Sequence, residues 1–195
     1  MRIVYIHGAN ATSTSFNYIR THIPEQSIVL NYSSVNGFVN NVEEMLLAVK
    51  KIQGPVFFVA HSLGGVYALQ LSQFIQNKVA GAVTLSTPYG GSREADMVRM
   101  FLPNSQLLKD ISPSGSIMSA VPSMRVPANW SNIITTQGSS PFINSANDGV
   151  VTSDSMKHLK YRMELIELDL DHYEVLQSLK VINIIKSRII KGKVD

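Results

Sequence analysis

The run Val56-Phe57-Phe58-Val59-Ala60 passes without a break into His61-Ser62-Leu63-Gly64-Gly65 and then into a segment with helical spacing. No other stretch constrains the fold as much. A strand that turns directly into a helix needs a sharp, strained corner. Side chains two positions either side of that corner would collide, and Ala60 and Gly64 are small enough to avoid it. The corner lifts the Ser62 hydroxyl above the strand. The helix behind it aims N-terminal N–H groups at the same place, where they stabilise negative charge. A serine hydroxyl at its free pKa is a poor nucleophile and must be exposed to a base. Ser62 is therefore the candidate nucleophile. The alternative, a serine in an ordinary polar turn, fits the flanking strand and helix less well.

Elsewhere, short apolar runs alternate with amphipathic stretches. Ile3–Ile6, Ile28–Asn31, Val56–Ala60, Val79–Leu85, Asn132–Thr136 and Met163–Leu168 read as strands. Helices are expected near Phe16–His22, over 38–52 (Phe38, Val42, Met45, Leu46, Val49 and Ile52 share one face), from Gly64 to about Gln76, and from Val175 to Ile189. Gly54-Pro55 ends the second of these. Strands alternating with helices predict a mostly parallel sheet of about six strands with helices on both faces, in one domain spanning 1–195.

Residues 92–130 break the rhythm. They hold four of the eight prolines (Pro103, Pro113, Pro122, Pro127) together with Met97, Met100, Met118, Met124, Phe101, Leu102, Leu107 and Leu108. So long an excursion is expected to be functional or mobile, a cap or lid. Adaptable apolar side chains suit a cap over an apolar site, and equally suit completion of the core beneath a long loop.

A serine nucleophile needs three further parts. Two backbone donors must receive the oxyanion. Leu63 N–H, directly after the nucleophile, is one. Ala9 N–H, in the His7-Gly8-Ala9-Asn10 loop after the first strand, is the other, with Gly8 expected to allow unusual backbone geometry there. The base should be a histidine late in the chain. His172, between the last strand and the last helix, is the one of the five histidines so placed. His61 is expected to point elsewhere, and His7 to pack as a hydrogen-bonded loop-shaping residue. The acid that orients the imidazole is assigned to Asp148 in Asn147-Asp148-Gly149-Val150-Val151; Asp154 is the nearest competitor, and an Asp-Gly turn without chemistry is the plain alternative. Asp169 and Asp171 lie too close in sequence to His172.

Composition excludes several classes. There are no cysteines, hence no disulfide, thiolate metal site or cysteine nucleophile. A net charge of +3 without a long Lys/Arg block, and without aromatics interleaved among basic residues, gives no nucleic-acid face. Lys180, Lys186, Arg188, Lys191 and Lys193 make the last helix basic. A solvated face with cations at the helix C-terminus explains this, and contact with anionic membranes is the sharper reading. A core-like strand already at Ile3 leaves no room for a signal peptide, and no apolar run reaches membrane-spanning length, so a cytoplasmic protein is expected.

Together, His7-Gly8-Ala9, Ala60-His61-Ser62-Leu63-Gly64-Gly65, Ser86-Thr87-Pro88-Tyr89-Gly90-Gly91-Ser92, Asn147-Asp148-Gly149-Val150-Val151 and Asp171-His172 resemble the α/β-hydrolase superfamily, in its lipase and PGAP1-like esterase branch. The order Ser62, Asp148, His172 is the order of that superfamily. The resemblance spans about residues 2–175. It implies a minimal three-layer α/β-hydrolase fold lacking the first two strands of larger relatives. It also implies a serine esterase or lipase with a Ser-His-Asp triad, a small-molecule ester or lipid substrate, and no cofactor. A thioesterase, amidase or acyltransferase on the same triad, or a catalytically silent binding protein, are the other readings the fold permits. Oligomeric state is not legible.

Overall fold

The computed structural model describes residues 1–92, 106–140, 143 and 145–194. Its centre is a six-stranded sheet in the order β2-β1-β3-β4-β5-β6, with β1 Arg2–Ile6, β2 Ser27–Leu30, β3 Val56–His61, β4 Val79–Leu85, β5 Trp130–Thr135 and β6 Glu164–Leu168. Each pairing is parallel. β3, apolar from Val56 to Ala60, and β5, whose apolar run is broken by Ser131 and Asn132, are both buried along their whole length, whereas the edge strand β6 is exposed at Glu164 and Glu167 and half-buried elsewhere.

Successive strand residues face opposite sides, and the core splits accordingly. On one side Val4, Ile6, Phe58 and Ala60 pack against α2 (Phe38–Lys50) and α3 (Leu63–Phe74). On the other, Ile3, Tyr5, Phe57, Val59, Val83 and Leu85 pack against α1 (Asn17–His22) and the C-terminal helix. Each buried Val, Leu, Ile or Phe contributes roughly 1.5–3 kcal/mol relative to an exposed one, and this two-sided burial holds the three layers together.

Most element ends shift by a residue or two from the sequence reading, and three of the differences are informative. β5 begins at Trp130 rather than Asn132, because its polar residues Ser131 and Asn132 are buried in the ladder instead of ending it. Asn132 is satisfied there: Oδ1 accepts from Thr84 Oγ1 (2.8 Å), and Nδ2 donates to Met156 O (3.0 Å). The final helix is two elements, a 3-10 turn Glu174–Gln177 and a helix Leu179–Val194, separated by extended Ser178. α2 stops at Lys50, and Ile52 continues as a buried turn residue.

Within the 92–130 excursion, α4 (Gln106–Ile111) and α5 (Ser116–Ala120) precede a 3-10 turn at Val121–Ser123. Met118, Val121 and Met124 are buried in the α2/α3 core, so this part completes the core. Met97, Met100, Phe101, Leu102 and Pro103 lie outside the described residues, as do the side chains of Leu107 and Leu108. A short helix α6 (Ser153–Met156) follows β5, and α7 is the C-terminal Leu179–Val194 helix. Among the described residues no helix is long and apolar enough to cross a membrane.

The topology itself marks a site. After β1 the chain goes to α1 on one face and to β2 on one side; after β3 it goes to α3 on the other face and to β4 on the other side. The carboxyl ends of β1 and β3 are therefore a topological switch point, where open α/β sheets leave a crevice.

Candidate active site

Ser62 sits at that crevice in a left-handed backbone conformation (φ 53°, ψ −127°), directly between β3 and α3. A non-glycine residue there costs about 1–3 kcal/mol, which the surrounding structure must supply. Two backbone hydrogen bonds give part of that support: Ser62 N–H donates to Leu85 O (2.8 Å), and Gly65 N–H donates to Ser62 O (3.0 Å). Gly64 lets the start of α3 rest on the end of β1, since a Cβ at Gly64 would lie 2.2 Å from Ile6 O and 2.5 Å from His7 O. The need for a small residue is thus a contact between two elements as well as relief within the turn.

Gly8 corrects an expectation. Its φ is not among the left-handed ones; in this loop that conformation belongs to Asn10 (φ 53°). Gly8 is needed for space, because a Cβ would approach His61 Nδ1 to 3.0 Å and Ser62 Cβ to 3.1 Å. The Gly8-Ala9 backbone can then lie against Ser62. His7 packs as expected: its Nδ1–H donates to Gly8 O (2.8 Å), Nε2 accepts from Tyr32 N–H (3.4 Å), and the ring stacks on Tyr32.

The structure brings His172 and Asp148 together. His172 Nδ1 lies 2.8 Å from Asp148 Oδ2, both side chains being buried. The other carboxylate oxygen, Oδ1, accepts Val151 N–H (2.7 Å) and Val150 N–H (3.1 Å), and Thr135 Oγ1–H donates to Oδ2 (2.5 Å). Burial pushes the Asp148 carboxyl up. The hydrogen bonds and charge of His172, with Thr135 and Val151 N–H, outweigh it and hold the carboxyl below its ordinary value. A carboxylate so held keeps the Nδ1 proton in place and leaves Nε2 as the free acceptor of the ring.

Asp154 does not compete. It lies on α6 and lines a separate polar cavity with His158, Gly90, Gly91, Ser145, Thr152 and Ser155. Asp171 caps the following turn, accepting Tyr173 N–H and Glu174 N–H (both 2.7 Å). His22 is half-buried on α1, where its Nδ1 lies 2.8 Å from Tyr18 O.

His61 departs from expectation. It does not point away from the site: its ring packs 4.7 Å from that of His172, and its Nε2–H donates to His172 O (2.8 Å). Burial first, and the adjoining His172 second, push its pKa down to about 3, so it is a neutral strut. Sequence reasoning missed this role and the Thr135 hydrogen bond to Asp148. A histidine next to a candidate nucleophile was the available signal for the first; the second carries none.

Ser62 and His172 open onto one cavity of about 390 Å³ whose lining includes Ala9, Leu63, Pro88, Ile111, Val150 and Leu176. The hydroxyl–imidazole hydrogen bond between them is not made in this structure. Such bonds are often long in unliganded sites and tighten around substrate. The arrangement offers a strained hydroxyl, a carboxylate-backed imidazole, a helix N-terminus and a mostly apolar wall.

The six-stranded parallel sheet with helices on both faces is the α/β-hydrolase fold. Neither a protein-family model nor a curated protein sequence matches the chain. Solved structures do. The metagenomic carboxyl esterase MGS0156 superposes with a TM-score of 0.74 at 15% identity, over 99% of this chain and 76% of that one. A structure from the metagenome-derived lipolytic enzymes LipS and LipT gives 0.71 at 11% identity, over 100% and 94%. Tomato methylketone synthase I, complexed with 2-tridecanone, gives 0.64 at 12% identity, over 98% of each chain. At these identities the likeness establishes the fold.

Proposed function

We propose that this protein is a serine hydrolase of carboxylic esters, with Ser62 as nucleophile, His172 as general base and acid, Asp148 as the orienting carboxylate, and the N–H groups of Ala9 and Leu63 as oxyanion donors. The observation that carries the reading is the convergence, at one switch-point cavity, of a strained serine and a buried Asp148–His172 pair.

Ser62 Oγ attacks the ester carbonyl carbon while His172 Nε2 takes its proton. The tetrahedral oxyanion forms against Ala9 and Leu63, each such donor being worth on the order of 100- to 1000-fold in rate. Collapse breaks the bond to the alcohol, which leaves with the proton from His172. Water, deprotonated by His172, then attacks the acyl-enzyme and releases the acid. Asp148 holds the imidazole in register and supports its positive charge throughout.

The cavity wall favours a small-molecule ester with an apolar acyl or alcohol part. Ser92 and Ile111, both from the 92–130 excursion, line that cavity, which supports a capping role for the segment within a single catalytic domain. The motifs around Ser62 and Asp148 favour the lipase and PGAP1-like branch. Carboxyl esterase and lipolytic names among the neighbours agree with the ester reading.

The test is hydrolysis of nitrophenyl esters from acetyl to palmitoyl by the parent protein and by Ser62→Ala. Serine-dependent cleavage is expected, with the preferred chain length reporting the cavity. A folded parent that cleaves none of them, or a Ser62→Ala variant as active as the parent, overturns the reading.

A further inference from the structure

Behind the Asp148–His172 pair lies a second buried polar chain that the mechanism above does not use. Thr135 ends β5, and Ser86 follows the last residue of the neighbouring β4; both are fully buried. Ser86 Oγ lies 2.8 Å from Thr135 Oγ1, which lies 2.5 Å from Asp148 Oδ2. That is the same carboxylate oxygen that meets His172 Nδ1.

The direction of this chain follows from what each group can donate. A carboxylate below its ordinary pKa only accepts, so the single hydroxyl proton of Thr135 goes to Asp148. The other acceptor in reach, Met156 Sδ at 3.5 Å, is a weak thioether and does not compete. Thr135 has no proton left for Ser86, so Ser86 is the donor between the two hydroxyls. The chain runs one way, from Ser86 to Thr135 to Asp148.

Ser86 also stands in a left-handed conformation (φ 52°), which glycine would adopt freely and serine adopts at a cost. That strain sits where the hydroxyl is delivered to Thr135, and Ser86 N–H is anchored on Ile133 O (2.9 Å) of β5.

We propose that Thr135, its hydroxyl oriented by Ser86, is a positioning residue of the hydrolase: it loads the Asp148 oxygen that faces His172 with a second donor and so sets how strongly the carboxylate holds the imidazole. The proposal rests on the catalytic reading for its meaning, though not for its test. With Val150 and Val151 N–H on Oδ1, the carboxylate has donors on both oxygens and cannot rotate without losing one. The hydroxyl also withdraws charge from Oδ2, which moderates the attraction of Asp148 for a protonated His172. The ionisable groups facing His172 are Asp148 from the loop after β5, His61 from β3 and the adjacent Tyr173, with Asp171 and Glu174 on its own turn; a change at position 135 leaves all of them in place.

The experiment is NMR titration of the His172 imidazole in the full-length protein, with 13C label at Cε1, for the parent, Thr135→Val, Thr135→Ser and Ser86→Gly. Loss of the Thr135 hydroxyl concentrates charge on Oδ2, so the His172 midpoint in Thr135→Val is expected to rise by about half a pH unit or more, the scale of one charge-assisted hydrogen bond. Thr135→Ser restores the parent midpoint, and Ser86→Gly moves it in the same direction by less. An unmoved midpoint in Thr135→Val, or a Thr135→Ser shift equal to that of Thr135→Val, overturns the proposal. Should Thr135→Val fail to fold, Ser86→Gly decides alone, since its backbone suits glycine, and an unmoved midpoint there is equally fatal. The acid limb of kcat/KM for nitrophenyl acetate should follow the same shifts. A parent without esterase activity sinks the catalytic reading while leaving the titration to decide whether Thr135 acts on the pair.

Discussion

His172 and Asp148 are joined twice: the imidazole Nδ1 meets the carboxylate Oδ2 at 2.8 Å, and the His172 N–H donates to the Asp148 backbone carbonyl at 3.1 Å. The backbone bond sets the separation of the two loops and the side-chain bond sets the tautomer, so the ring is fixed in both position and protonation. An amide in place of the carboxylate would keep the backbone bond and lose the control of the ring proton. Asp148→Asn should therefore keep the fold and lose roughly 1000- to 10,000-fold in kcat, because an amide NH2 facing Nδ1 moves the ring proton to the nitrogen that must accept. Steady-state kinetics together with far-UV circular dichroism check this. A loss of under tenfold would mean that Asp148 does not orient the base.

Gly64→Ala should abolish soluble expression or cost several kcal/mol. The added Cβ would meet backbone carbonyl oxygens at Ile6 and His7, which belong to the central strand β1 and its loop and cannot yield as a side chain tip can. Denaturant midpoints of any soluble fraction give the measurement, and a near-parental midpoint would contradict the packing of α3 on β1.

Stability should fall as the solution is acidified from neutrality. An unfolded histidine takes up its proton near its ordinary value of about 6.5. Folded His61 resists protonation down to about 3. Below about pH 6.5 the unfolded chain binds a proton that the folded chain does not, so stability present above that pH is lost progressively as the pH drops towards 3, at roughly 1 kcal/mol per pH unit for each such group. His7, lowered chiefly by burial, adds to the same trend down to its own folded value. Asp148, whose folded carboxyl lies below its ordinary value, adds a further loss once the pH falls below that ordinary value. Urea denaturation from pH 8 to 4.5 should show a shallower decline for His61→Gln than for the parent. Parallel declines would mean that His61 is not held neutral by the fold.

Ile185→Ala, in the apolar face of α7 against the sheet, should cost about 2–5 kcal/mol through lost burial and the cavity left behind. Ile190→Ala, on the same helix but 63% exposed, should stay within about 0.5 kcal/mol. Equal effects at the two positions would mean that the helix docks by a different face.

Much of the architecture is legible in the sequence. Buried parallel strands declare themselves as short apolar runs, and Val79–Leu85 matches its strand at both ends. Gly54-Pro55 stops α2 within a few residues of where periodicity ends it. The boundaries that moved did so for tertiary reasons. Asn132 interrupts the apolar pattern of β5, yet Thr84 and Met156 satisfy its amide from other elements. Val175 and Leu176 share helical spacing with α7, but their apolar contacts are made from a separate 3-10 turn.

The sequence by itself determined the alternation of strands and helices, the corner that carries Ser62, and the chain order of serine, aspartate and histidine. Those are local facts, written in side-chain period and in residue size within a few positions. Only the tertiary structure decided which carboxylate meets His172, that His61 braces it across 111 residues, that Gly8 yields space rather than an unusual turn, and that Thr135 and Ser86 stand behind Asp148. Each of these depends on where the carboxyl ends of parallel strands come to lie side by side. That alignment is set by the twist and register of the whole sheet, which no short stretch of the chain encodes.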